Sequence, residues 1–151
     1  MFQKTTIGKP QQWLIEAAAS IGLDFTGFRH ETTDDFKRHV IKRHGNSAIH
    51  GRATITDMDF TRIPDIVKIP DIAIIGATRK GRVYIIYAKT YPDMTYIYFE
   101  QVLDSRRYRV LRGSTLYKVT RPLVTDDIKR IITRNDKTDI SEALIMSPGK
   151  V

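Results

Sequence analysis

The strongest constraint on the fold is a change of sequence period near Asp71. From Ile72 onward, apolar and polar residues alternate in four stretches: Ile72–Gly76, Val83–Lys89, Met94–Leu103 and Tyr108–Val119. Alternation at period two marks a strand. The links Ala77–Arg82, Thr90–Asp93 and Asp104–Arg107 are short and turn-like, as expected between antiparallel neighbours. The stretch therefore predicts a four-stranded antiparallel meander.

Before the meander the period is helical. Pro10 precedes Gln11–Ile21, in which Trp13, Leu14, Ala17, Ala18 and Ile21 recur at helical spacing, and Gly22 follows. Pro in the first turn and Gly after the last are the expected start and stop signals of a helix. Thr32-Thr33-Asp34-Asp35 supplies a hydroxyl cap and first-turn carboxylates for a second helix, which runs to His44 and ends at Gly45. Its inner side carries Phe36, Lys37, Val40 and Ile41. Thr56–Phe60 predicts a short third helix, and Pro64 and Pro70 fence Asp65–Ile69 into a turn-like segment. Thr125–Arg134 predicts a last helix, followed by a loose polar tail. The expected class is α+β, with N-terminal helices packed on a four-stranded antiparallel sheet whose other face is partly open for a substrate. The expected division is an N-terminal helical extension at 1–31, a core at 32–122, and a C-terminal helix with a flexible tail at 123–151.

A chain of 151 residues suits one domain. No apolar run is long enough to cross a bilayer, and Met1–Pro10 lacks the apolar region of a secretory signal. The absence of cysteine excludes disulfides, thiolate-ligated zinc and thiol catalysis. The net charge of +8 points to a polyanionic partner, nucleic acid first. The surplus is localised. Residues 32–52 hold five basic and two acidic groups, and residues 77–122 hold ten and three.

Four histidines, His30, His39, His44 and His50, fall within one basic segment. Imidazole exchanges protons near neutrality, so such a group suits acid–base chemistry; each histidine alone reads equally as packed or solvated. A helical zinc pair needs i, i+4 spacing. His39 and His44 are five apart, roughly 140° round a helix, and do not converge. Magnesium would need Asp57, Asp59 or Asp71, of which the first two read more simply as first-turn helix carboxylates. No metal and no cofactor are expected. On the sheet, alternation allows Tyr87, Lys89, Tyr98, Glu100, Thr115 and Tyr117 to gather around one patch. Lysine there can stabilise a phosphorane, glutamate or histidine can take a ribose proton, and threonine or tyrosine can orient phosphate or stack on a base. The plainer alternative is an exposed Lys89–Glu100 pair among packing tyrosines. The basic loops, with Arg79, Lys80 and Arg82 in one and Arg106, Arg107, Arg109 and Arg112 in or after another, suit a phosphate backbone or simple solvation.

The run His39-Val40-Ile41-Lys42-Arg43-His44-Gly45 is similar to the His-x-x-x-(Lys/Arg)-His-Gly signature of the phage polyvalent-protein nuclease domains of the barnase–EndoU–colicin–RelE superfamily. Thr56–Phe60, Ile63–Val67, Pro70-Asp71, Tyr87–Lys89, Tyr98–Val102 and Ser114–Lys118 follow in the order of that profile, so the resemblance covers residues 36–118. It implies metal-independent RNA cleavage by attack of the 2′-hydroxyl, with tRNA as one target. It implies catalytic positions at His39, His44, Lys89, Glu100, Thr115 and Tyr117; His50 has no place in the signature. Arg43, Arg79, Lys80, Arg82, Tyr87, Tyr98, Arg106, Arg107, Arg112 and Lys118 are the expected RNA-binding residues. The expected setting is the cytoplasm, reached with a phage or through a secretion system, with an acidic inhibitor or immunity protein as partner and no membrane. The alternatives are a basic nucleic-acid-binding module without catalysis and a phage virion or docking domain.

Overall fold

The computed structural model describes residues 4–44 and 52–148. Strand β1 (Lys4–Gly8) leads to helix α1 (Gln12–Ser20), strand β2 (Arg29–Thr33) and helix α2 (Asp34–His44). Next come β3 (Arg52–Ala53), α3 (Asp57–Phe60), α4 (Ile63–Lys68), β4 (Ile72–Arg79), β5 (Arg82–Tyr91), β6 (Met94–Asp104) and β7 (Arg109–Val119). Helix α5 (Thr125–Arg130) continues into a π-helical turn at Ile131–Asn135, and β8 (Leu144–Met146) follows.

Local chemistry explains the boundaries. Helix α1 closes with Gly22 at φ +86°, where the Gly22 and Leu23 amides return to the Ala19 and Ala18 carbonyls at 3.1 and 2.9 Å. This double return satisfies carbonyls that a helix end leaves open. Helix α2 starts where Thr33 Oγ1 accepts the Phe36 amide at 3.0 Å, with Asp34 and Asp35 in the positive first turn. Lys80 and Gly81, both at positive φ, form the two-residue turn between Arg79 and Arg82. That turn matches the twist of a hairpin.

The expectation of four strands under N-terminal helices is corrected. Among the described residues one mixed sheet holds eight strands, in the order β1-β2-β7-β6-β5-β4-β8, with β3 also on β7. The meander forms its middle. Strand β2 adds to β7 in parallel, pairing Arg29–Glu31 with Val110–Arg112, and β1 closes that edge. Strand β8 comes from the stretch expected to be a loose tail and pairs with β4. Nor are the helices confined to the N-terminal part. One face of the sheet packs on α1 to α4, through Leu14, Phe36, Val40 and Ile66. The other is partly covered by α5 and the π turn, whose Ile128 and Ile132 meet Ile74, Ile86, Phe99 and Tyr117. The segment between Pro64 and Pro70 is mostly helical, because Pro64 lies in the first turn of α4, where its missing N–H is harmless.

Register shifts between Phe99 and Glu100: Phe99 faces Thr115, Glu100 faces Gly113, and Ser114 is the extra residue of a β-bulge. Gly113 is there because its neighbours leave no room. A Cβ would lie 2.7 Å from Tyr98 Oη and 3.3 Å from Phe36 Cζ and Thr32 Cγ2. Gly113→Ala is expected to lower unfolding free energy by about 1–3 kcal/mol through overpacking. Chemical denaturation should show much of that loss recovered when Tyr98→Phe removes the closest atom.

Candidate active site

Directly opposed residues on paired strands share a face. Tyr84 faces Gln101, Gln101 faces Arg112, Arg112 faces Glu31, and Glu31 faces Thr6, which gives one row across β5, β6, β7, β2 and β1. The row lies on the face that α5 covers only in part. Beside it, α2 runs along β7 and brings His39 and Arg43 to the bulge. Two adjoining recesses, of about 470 and 290 Å³, share His39 and Ser114 and make one groove. Arg43, Arg52, Arg79, Lys80, Arg82, Thr115 and Asp136 line the larger, and Gln101, Arg112, Gly113 and Asp35 line the smaller.

The groove walls are held by paired charges. Arg112 presents Nε and Nη2 to Glu31 Oε1 at 3.1 and 2.9 Å, and the Glu31 carboxylate is buried. This fork geometry fixes the guanidinium plane. Arg52 lies 3.6 Å over the Tyr117 ring and donates to Asp136 Oδ1 at 2.6 Å, while the Tyr117 hydroxyl donates to Asp136 Oδ2 at 2.5 Å. Burial, and then the Asp136 charge, push the Tyr117 hydroxyl well above its ordinary pKa, so it acts as a donor and not as a phenolate.

Of the residues singled out by sequence, the structure brings His39, Arg43, Thr115, Arg79, Lys80, Arg82 and Arg112 to this groove. His44 closes α2, but its side chain, like His50, lies outside the described residues. Arg106 and Arg107 are exposed in the β6–β7 turn. The expectation that Tyr87, Lys89, Tyr98, Glu100, Thr115 and Tyr117 form one patch is corrected. The bulge at Ser114 leaves Thr115 opposite Phe99, on the face away from Tyr87, Tyr98 and Glu100. Lys89 sits near the far end of β5 and caps the Ile69 carbonyl at 2.7 Å. Tyr87 and Tyr98 are buried and stack with centroids 5.9 Å apart. Sequence reasoning missed Arg52, Gln101, Ser114 and Asp136. The glycine before Ser114 was the one local sign of a bulge.

Lys118 serves a separate cluster. Its Nζ lies 3.0 Å from both Asp59 oxygens, which also accept the Tyr96 hydroxyl and, at 2.8 Å, the Thr56 amide. Burial works to raise the Asp59 pKa, but the bonds from Tyr96, Thr56 and Lys118 outweigh it and hold the carboxyl below its ordinary value. A depressed folded pKa gives stability that is present above the ordinary carboxylate pKa and lost as pH falls through the folded one. Asp59→Asn is therefore expected to lower stability at neutral pH and to flatten its decline below about pH 4, read from unfolding midpoints across pH.

Glu100 is 0% exposed. Its oxygens meet His30 Nδ1 at 3.0 and 2.8 Å, and Tyr87 donates to Oε1 at 2.5 Å. Burial first, and Glu100 second, push the Tyr87 hydroxyl well above its ordinary pKa. The triad ties β2, β5 and β6 inside the core, so contact between Glu100 and a substrate would require the sheet to open. Glu100→Ala leaves a buried imidazole and a buried phenol without their partner. It is expected to cost about 3–5 kcal/mol of stability, measured by denaturation.

Among the described residues, no three of His, Asp and Glu group where they could share a metal ion, and no helix is long and apolar enough to cross a membrane. No curated protein and no solved structure matches the chain significantly. A family profile described as phage-Barnase-EndoU-ColicinE5/D-RelE like nuclease3 does match, over residues 8–126. That span begins at the end of β1 and closes inside α5, and so takes in both α2 and the bulged strand β7. The chain thus belongs to this phage nuclease family of the barnase–EndoU–colicin–RelE superfamily, enzymes of toxin-like, RNA-cleaving type.

Proposed function

We propose that the groove is the active site of a metal-independent endoribonuclease that uses the ribose 2′-hydroxyl as nucleophile. The observation carrying this reading is the meeting of His39 with the Ser114–Thr115 bulge beneath the cations Arg43, Arg79, Lys80 and Arg82. In this mechanism His39 takes the 2′-hydroxyl proton as the 2′ oxygen bonds to phosphorus. The pentacoordinate phosphorane gathers charge that the surrounding guanidinium and ammonium groups stabilise. The 5′ oxygen then leaves with a proton from a second acid, a part that only the motif resemblance assigns to His44, and the other product is a 2′,3′-cyclic phosphate. Thr115 hydrogen-bonds a phosphate oxygen. No catalytic part falls to Lys89, Glu100 or Tyr117, whose side chains are engaged in the fold.

The walls supply cations where a metal-dependent nuclease would gather carboxylates, which supports the metal-independent form. A single-stranded loop suits an open groove better than a duplex, because unstacked bases can splay into it; tRNA anticodon loops are the first substrates to test. The same cationic surface would accept an acidic inhibitor, as a toxin delivered with a phage or by secretion requires.

Purified protein is expected to cleave tRNA or total RNA in EDTA, leaving 2′,3′-cyclic phosphate ends. His39→Ala should slow cleavage roughly 10²- to 10⁴-fold with an unchanged unfolding midpoint, since the side chain is exposed. Intact RNA with the wild-type protein, or cleavage that vanishes in EDTA and returns with a divalent ion, would sink this mechanism.

A further inference from the structure

Beyond the groove lies a third recess, of about 470 Å³, lined by Lys4, Val102, Leu103, Asp104, Ser105, Tyr108 and Arg112. It shares Arg112 with the recess that holds His39, so the track continues past the proposed reaction centre toward β1. Tyr108 is the conspicuous residue. Its side chain is large, 43% exposed, and stands immediately before a strand whose inner residues are buried. Solvent exposure of an aromatic ring costs burial energy that a packing role would have kept. Its backbone is held in place. The Ser105 amide returns to the Tyr108 carbonyl at 2.7 Å, and Ser105 Oγ accepts the Tyr108 amide at 3.1 Å.

The surroundings of the ring are cationic. Lys4 Nζ lies over the ring, 4.8 Å from its centroid, and the Arg112 guanidinium over it at 6.0 Å; a base reaches the face under Lys4 once that flexible side chain swings out to a phosphate. Arg106, Arg107 and Arg109 are exposed in the same turn and strand start. An aromatic platform flanked by cations, on an open track, is the arrangement that takes single-stranded nucleic acid: the ring stacks a base and the cations meet the phosphates beside it. Arg112 joins the two regions, because buried Glu31 fixes its guanidinium between His39 and Tyr108. From β5 to β1 the track crosses four strand spacings, roughly 19 Å, longer than one phosphodiester requires.

We infer that Tyr108 is a base-stacking subsite for a nucleotide flanking the cleaved bond, set between Lys4 and Arg112, and that it makes the enzyme prefer extended single-stranded RNA over minimal substrates. This inference rests on the nuclease reading of the groove. Tyr108 acts by holding substrate and takes no part in proton transfer.

The test compares wild type, Tyr108→Ala, Tyr108→Phe and His39→Ala on two substrates, a dinucleoside monophosphate and a longer single-stranded oligonucleotide. Tyr108→Ala should raise KM for the oligonucleotide roughly 5- to 150-fold, the range for loss of one stacked base. Its kcat, its cleavage of the dinucleoside and its unfolding midpoint should stay as in wild type, and Tyr108→Phe should restore KM. Binding of a 2′-O-methyl oligonucleotide, which lacks the nucleophile, should weaken by the same factor in Tyr108→Ala and stay near wild type in His39→Ala. Unchanged KM and binding in Tyr108→Ala, beside abolished cleavage in His39→Ala, would overturn the subsite and leave the nuclease reading standing. Absence of cleavage by wild type, with Tyr108-dependent binding intact, would do the reverse. No binding of the 2′-O-methyl strand by wild type overturns the subsite.

Discussion

The structure depends on a carboxylate buried in the middle of its sheet. Removing Glu100 from water costs several kcal/mol, and only well-placed partners return that energy. His30 and Tyr87 are those partners, one from β2 and one from β5. The energy is recovered only when three strands are in one register, so the triad selects a pairing as well as stabilising it. Glu100 also stands opposite Gly113, at the point where β6 and β7 slip by one residue. The carboxylate and the glycine therefore set the same local geometry. That geometry turns Ser114 and Thr115 toward the groove and away from the helical core.

Charge is divided between structural and available groups. Glu31 holds Arg112, Asp136 holds Arg52, and Asp59 holds Lys118. These pairs bind elements together, and their cations are partly neutralised. The hairpin carrying Arg79, Lys80 and Arg82, the outer side of α2, and the β6–β7 turn supply the field that a phosphate chain would meet. A net charge of +8 thus understates how strongly one side of the molecule favours polyanions.

Much of this was legible in the sequence. The period change at Asp71 marked the meander, and the caps around Thr33 and Gly22 marked two helices. What escaped is physically coherent. Strands β1 and β2 read Lys-Thr-Thr-Ile-Gly and Arg-His-Glu-Thr-Thr, without apolar alternation, because β2 is buried through hydrogen-bonded polar groups. Strand β8 is three half-buried residues that only β4 orders. The single-residue slip at Ser114 reversed the facing of Thr115 and Tyr117 relative to Glu100, and strict alternation cannot anticipate a bulge. Lys89 and Lys118 looked like free cations; only tertiary contacts reveal a carbonyl and a carboxylate already bound to them.

The parallel seam between β2 and β7 bears on how the molecule comes into being. Arg112 and its buried partner Glu31 are 81 positions apart, and no hairpin can bring them together. Pairings of such separation are late and slow events in folding, because closing the intervening loop costs entropy before any contact repays it. The groove has α2 on one side and β7 with the π turn on the other, so neither half of the chain contains it. During synthesis the groove stays incomplete until β7 and the π turn have emerged. The topology itself thus makes the groove one of the last features of the molecule to form.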